Sequence, residues 1–282
     1  MAIKKFKPTT PGRRQMTWYT FEELTVSKPV KSLTVKLKSH AWRGSSWRIT
    51  VRHKWGGHAQ KYRLVDFYMV DKKDIPAKVE TIEYDPYRTA YIALVCYKDW
   101  ERRYVLAHKD MKVWDIILSA TETTLASWNR MEIWNIPVWL HIYNLELIVG
   151  HWSSSIRSAW TYWVIFSQEW EYTQVKMPSS EIRLVNKKCF ANLWQVSNTD
   201  HNQIVIWKAW RSRWMWKRPT VLWKSMNPVD HPHGWWEWHA PIWMKAPKTP
   251  WGKKALWAKT RSRKKTTSRW ILKDKKGRLI NK

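Results

Sequence analysis

The chain has 282 residues, 44% of them hydrophobic, enough for one or two modest cores. That favours two small domains with arms over one large enzyme fold. The 51 Lys and Arg outweigh the 22 Asp and Glu, for a formal net charge of +29, so the expected partner is a dense polyanion, meaning nucleic acid, and not a small-molecule substrate. No run of about 18 apolar residues occurs and the basic opening leads straight to Pro-Gly, so neither a membrane span nor a secretory signal is expected and the cytoplasm is the expected location.

Residues 1–36 are basic, proline-punctuated and without sustained hydrophobic period, which predicts an arm extended along a partner. Short β-branched or aromatic runs follow at 47–51, 62–68, 77–84, 90–97 and 102–107. Separated by turn residues, they predict a compact barrel within 37–120. The pattern returns at 136–142, 161–167, 172–177 and 182–185, predicting a second small barrel within 121–200. Beyond 198 the strand signal fades, and 201–282 is rich in Pro, Lys, Arg and Trp. Clustered cations there, including Lys253, Lys254, Arg261, Lys264 and Arg269, repel one another in water and suit a path among phosphates. The expected fold class is all-β, with two barrels between basic N- and C-terminal arms.

Cys96 and Cys189 lie far apart in apolar surroundings and are expected as buried, reduced thiols rather than a disulfide or zinc site. Residues 226–234 read MNPVDHPHG, too rich in proline, histidine, Asp and Asn for helix or strand, and so form a functional loop. Asp230, His231, His233, Glu237 and His239 have side chains that can chelate metal or relay protons. Their spacing is poor for either task. His231 and His233 flank a rigid proline and no cysteine joins them, so a loop held by hydrogen bonds is the expected reading, with no metal and no cofactor.

This loop resembles the signature of the universal ribosomal protein L2 family of the large subunit, and further similarities run through the chain in the family's order. They include MAIKKFKPTTPGRR at the start, Thr50-Val51-Arg52-His53, Gly56-Gly57-His58, Tyr62-Arg63, Glu83-Tyr84-Asp85-Pro86 with Arg88, and Asn135-Ile136-Pro137-Val138. Asn144, Glu146, Arg157-Ser158-Ala159, Arg211-Ser212-Arg213-Trp214, Arg218-Pro219-Thr220-Val221 and Thr249-Pro250-Trp251-Gly252-Lys253 continue the series. The resemblance implies an oligonucleotide-binding (OB-fold) type barrel followed by an SH3-like barrel, with both arms extended into rRNA. It implies a non-enzymatic structural constituent of the large ribosomal subunit that binds rRNA, neighbours other ribosomal proteins and tRNA, and supports subunit association and tRNA placement.

Arg88 and Arg157 match family arginines that bind rRNA, a task suited to a planar guanidinium that grips phosphate bidentately and stacks on bases. Arg52, His53, His58, Arg63, Arg211, Arg213 and Arg218 are further candidates for RNA-backbone contact. Asn227, Asp230, His231 and His233 are implied to lie in the loop nearest the peptidyl-transferase region. Tyr68-Met69-Val70, Ile148-Val149 and 151–154 depart from basic or glycine-rich family stretches, which removes phosphate contacts expected there. Two other classes compete. A free single-strand-binding module would bind unrelated strands equally, and a metal- or histidine-dependent nuclease would use the 230–239 loop.

Tryptophan and glycine are out of proportion: 26 Trp stand beside 8 Gly. Against the family pattern, many of the tryptophans fall where the family carries glycine, for example Trp55, Trp100, Trp139, Trp160, Trp235, Trp236 and Trp238. Trp214 and Trp251 fall on family tryptophans. A bulky side chain at so many turn positions would cost about 1–3 kcal/mol each, more in sum than a domain's whole stability of about 5–15 kcal/mol. The expectation is that the gene uses UGA for glycine, with Trp arising from a different codon assignment. The competing reading makes the indoles stacking platforms for unpaired bases.

Overall fold

The computed structural model describes residues 3–234, 242, 244–256, 261–262 and 264–280. It falls into two compact units. The larger comprises Met1–Lys38, His58–Lys208 and Arg269–Lys282, and the smaller Ser39–Gly57 with Ala209–Ser268.

The larger unit opens with an antiparallel pair, β1 (Ile3–Lys5) and β2 (Thr17–Tyr19). The segment expected as a mere arm therefore carries strands. Polar atoms of Thr17 explain part of its fixing: its amide donates to the Val205 carbonyl (3.1 Å) and its hydroxyl oxygen accepts from the Val205 amide (2.8 Å). β3 (Thr34–Lys36) pairs with β4 (Lys61–Arg63).

The first barrel centres on four antiparallel strands, β5 (Ala77–Glu83), β6 (Ile92–Tyr97), β7 (Arg102–Leu106) and β8 (Ile116–Ile117), in spatial order β7-β6-β5-β8. β6 reads IALVCY, a nearly unbroken apolar run, because both its faces are covered. Ala93 and Val95 join one core with Val79, Val105 and Ile117, while Ile92 and Leu94 join Tyr104 in a second, packed by Val30, Leu33 and Val65. A bulge between Val79 and Thr81 shifts the β5–β6 register and bends the sheet toward closure.

The second barrel is a seven-stranded antiparallel sheet of order β15-β13-β12-β11-β10-β14-β9. Its members are β9 (Arg130–Glu132), β10 (His141–Tyr143), β11 (Trp163–Glu169), β12 (Tyr172–Lys176), β13 (Ile182–Asn186), β14 (Phe190–Leu193) and β15 (Ile271–Lys273). Met131, Ile133, Ile142, Leu145, Ile165, Val175 and Val196 are fully buried at its centre. The protein is thus all-β, an OB-fold-type barrel followed by an SH3-like barrel.

One polar network is sealed in this core. Arg130 and Glu146, both about 1% exposed in their side chains, form an ion pair. The guanidinium also donates to the Asn144 carbonyl (3.0 Å), Asn192 Oδ1 (2.9 Å) and Ser153 Oγ (2.9 Å). Burial lowers the Arg130 pKa and raises that of Glu146, and their mutual attraction opposes both shifts.

Several sequence expectations are corrected. Residues 47–51 form no strand and contribute one isolated bridge, Arg43 to Ile49, because a tight turn reverses the chain there. Of 62–68, only Tyr62 and Arg63 lie in a strand; of 136–142, only His141 and Ile142. A 3-10 turn at Ile133–Asn135 precedes the latter. The region beyond 198 adds a short helix, α1 (Ala209–Trp214), and contributes β15. Both cysteines are free. Cys189 is buried, its thiol pKa pushed up to about 12, whereas Cys96 is only half-buried.

Candidate nucleic-acid interface

Where the two barrels adjoin, several backbone hydrogen bonds stitch them together. The Lys109 amide donates to the Gln195 carbonyl (2.9 Å) and the Ser197 amide to the Ala107 carbonyl (3.1 Å). Thr89 adds side-chain links: its Oγ1 accepts from the Ala159 amide (3.0 Å), and its carbonyl from Asn198 Nδ2 (2.6 Å). Beside this seam opens a cavity of about 560 Å³ lined by Tyr62, Phe67, Tyr87, Arg88, Ser154 and Arg157, among others.

The cavity brings together the two arginines that the sequence singled out. Arg88 follows β5 in a tight turn, where its Nε pairs with Asp85 Oδ2 at 2.9 Å; Asp85 is wholly buried and its Oδ1 accepts from the Tyr87 amide. Its guanidinium lies 5.7 Å from the Tyr62 ring centroid and 5.4 Å from that of Phe67. Arg157 covers the same Phe67 ring at 4.4 Å. Burial and, second, the nearby Arg88 lower the Arg157 pKa. Among the described residues one carboxylate, that of Asp85, serves this arginine pair. Such a site holds two flat cations on aromatic supports with surplus positive charge, the arrangement that takes a phosphate and stacks a base.

The remaining candidates have varied settings. Arg63 is buried, its Nη1 donating to the Lys61 carbonyl (2.9 Å), so its guanidinium is turned inward. His58 is exposed. In the smaller unit, His53 donates from Nδ1 to the Pro219 carbonyl (3.1 Å), and the Arg218 amide donates to the His53 carbonyl (3.0 Å). Arg52 lies over the Trp251 ring (5.9 Å) and Arg213 over Trp55 (5.4 Å). Arg211, on α1, has its pKa lowered by burial.

The MNPVDHPHG loop separates its polar residues by exposure. The Asn227 carbonyl accepts from the Asp230 and His231 amides (2.9 and 3.2 Å), a tight turn that leaves Asn227, Val229 and Asp230 exposed at its tip. His231 and His233 are instead buried. His231 Nδ1 accepts from the His233 amide (3.0 Å), and His233 Nε2 accepts from the Lys248 amide (2.8 Å). Burial, then His233 and Arg52, lower the His231 pKa, which favours the neutral imidazole. Gly234 is dictated by space, since a β-carbon there would sit 2.3 Å from the Asn227 carbonyl oxygen. Among the described residues no group of three or more His, Cys, Asp or Glu side chains could hold a metal ion, while Glu237 and His239 lie outside those residues. No helix among the described residues is long and apolar enough to cross a membrane.

The aromatic walls of the groove, Tyr62, Phe67 and Tyr87, were missed in the sequence. They stand on separate segments with no shared spacing, and only the adjacency of Tyr62 to Arg63 and of Tyr87 to Arg88 hinted at them.

Two adjoining β-barrels with paired arginines at their seam, in a chain of net charge +29, define an all-β RNA-binding protein. Residues 30–119 match the family model for the RNA-binding N-terminal domain of Ribosomal Proteins L2, and residues 127–252 match the model for the C-terminal domain of the same proteins. The chain belongs to the ribosomal protein L2 family. It is a structural, rRNA-binding constituent of the large ribosomal subunit.

Proposed function

We propose that the chain grips large-subunit rRNA through the Arg88–Arg157 groove and does no catalysis of its own. In this reading it works in the cytoplasm, away from membranes. Residues 37–120 and 121–200 act as paired RNA-binding barrels, while 1–36 and 201–282 run into the surrounding rRNA. The observation that carries this is the pairing of two guanidiniums on the Phe67 ring, of which Arg88 alone has a carboxylate partner, Asp85, among the described residues. Arg52, His53, His58, Arg211, Arg213 and Arg218 supply additional backbone contacts, while Arg63, buried and bonded to the Lys61 carbonyl, is the least suited of the candidates to do so. The exposed tip of Asn227 and Asp230 faces the peptidyl-transferase region near tRNA, with His231 and His233 as its internal brace. By holding rRNA in place, the protein supports subunit association and tRNA placement.

Filter binding to a large-subunit rRNA fragment tests the groove. Arg88→Ala and Arg157→Ala should each weaken binding by about 1–3 kcal/mol, as expected for loss of a charge-assisted hydrogen bond. Unchanged affinity in both variants would remove the groove from the interface.

A further inference from the structure

Among the described residues, 21 non-glycine residues adopt positive φ, and ten of them are tryptophan: Trp42, Trp47, Trp100, Trp114, Trp139, Trp160, Trp170, Trp194, Trp207 and Trp216. Asn and Asp are the side chains that ordinarily tolerate this region, and here they supply only Asp74, Asp110, Asn144 and Asn198. Tryptophan has no means of relieving the clash between its β-carbon and the backbone. An indole-bearing residue nevertheless outnumbers them.

Nearly all of these tryptophans occupy a turn position whose geometry calls for glycine. At Trp100 the hairpin between β6 and β7 is a type I turn closed by a left-handed residue: the Trp100 amide donates to the Tyr97 carbonyl, the Tyr97 amide to the Glu101 carbonyl, and φ is 65°. Trp47 repeats the device, with its amide on the Gly44 carbonyl, the Gly44 amide on the Arg48 carbonyl, and φ of 58°. Trp170 is the first of two loop residues between paired Glu169 and Tyr172, the glycine site of a type II′ turn. Trp42 and Ala41 are the two central residues of a type I′ turn from His40 to Arg43, both at positive φ.

Trp114, Trp139 and Trp160 each stand third in a hydrogen-bonded turn, at φ of 81°, 72° and 56°, the position that a type II turn reserves for glycine. Trp216 follows α1 by two residues, with the Lys217 amide on the Ser212 carbonyl and its own amide on the Arg213 carbonyl. That is the left-handed cap with which helices end on glycine. Trp207 is the centre of a three-residue turn from Ile206 to Lys208, at φ of 65°. Trp194 directly follows β14 at φ of 90°.

At the two hairpin tips burial gives no compensation: Trp100 is 84% exposed and Trp170 is 88% exposed, so these indoles gain no core contacts in return for the backbone they strain. Of the eight glycines, only Gly150, Gly252 and Gly277 are at positive φ. The fold's demand for glycine thus exceeds the glycine written into it, and tryptophan fills the shortfall. Six separate turn designs converge on one residue type, which a single codon assignment accounts for and independent substitutions do not.

We propose that the polypeptide made in its native cell carries glycine at these ten positions, inserted at UGA codons by a glycine-accepting tRNA that pairs with UGA. The consequence for synthesis is specific. A cell lacking such a tRNA either terminates at the first such codon, no later than position 42, or, where UGA is read as tryptophan, builds the strained chain.

Peptide mass spectrometry of large subunits isolated from the native cells tests this. The tryptic peptides spanning residues 99–102 and 158–176 hold Trp100, Trp160 and Trp170. Glycine is expected at each, every substitution lowering the peptide mass by the difference between an indolylmethyl group and a hydrogen. Tryptophan at any of the ten positions would overturn the assignment and leave the indoles as genuine exposed side chains, available to stack on bases.

Discussion

Arg130 and Glu146 are the most deeply buried charged pair of the larger unit, outside the Arg88–Arg157 groove. Each is sealed in the second barrel, and each would be an uncompensated charge without the other. Arg130→Met should therefore destabilise the protein by about 3–5 kcal/mol, read from denaturant unfolding, because it strands a buried carboxylate. The paired change Arg130→Met with Glu146→Leu should recover most of that loss. His231 makes a subtler contribution: its Nδ1 is the acceptor for the His233 amide. His231→Ala should speed hydrogen exchange at that amide, corresponding to about 1 kcal/mol of lost protection, while His231→Asn retains an acceptor and should lose less. Equal exchange in both variants would mean that the loop holds its shape without the imidazole.

Among strands and turns, the β6–β7 hairpin offers the cleanest test of strain. Trp100→Gly in the tryptophan-containing chain should raise stability by about 1 kcal/mol, visible as a higher Tm, because it relieves a left-handed residue that makes no core contacts. A lower Tm would show that the exposed indole stabilises the turn. Strands of this kind were largely legible in the sequence. β5, β6, β7, β11, β12 and β13 are each five residues or longer and rich in Val, Ile, Thr and aromatics. β9 and β14 escaped notice because three or four residues, including Arg130 and Asn192, give no readable alternation; their strand state is imposed by pairing with each other. The run 47–51 misled in the opposite direction, since its β-branched residues lie in a turn-dominated segment. Arg88 and Arg157 were visible only through family likeness. Nothing in their spacing announces that both would reach one phenylalanine ring, because that juxtaposition is made by the docking of two barrels.

Across the protein as a whole, buried histidines couple folding to pH. His108 is 2% exposed at the barrel junction, where its Nδ1 donates to the Lys109 carbonyl, and burial depresses its pKa below the ordinary 6.5. His141 and His201 shift in the same direction for the same reason. A depressed histidine contributes stability that is present above the unfolded-state value and lost as pH falls through it, since the unfolded chain then binds the proton more readily. Glu83 and Glu146, whose pKa values are raised by burial, oppose this at lower pH. The histidine contribution is isolated by difference. Between about pH 7.5 and about pH 5.5 the Tm of the parent chain should fall relative to that of His108→Gln. Parallel profiles would show that His108 protonates equally in both states.

β15 joins the second sheet at β13, yet the stretch Ala209–Ser268, all of it in the smaller unit, separates the two in the chain. At translation speeds of about 5–20 residues per second, β13 leaves the exit tunnel on the order of ten seconds before its neighbour. Throughout that interval the nascent sheet presents a bare hydrogen-bonding edge to a crowded cell. Until Ile271–Lys273 emerge, that edge is open to any strand able to pair with it.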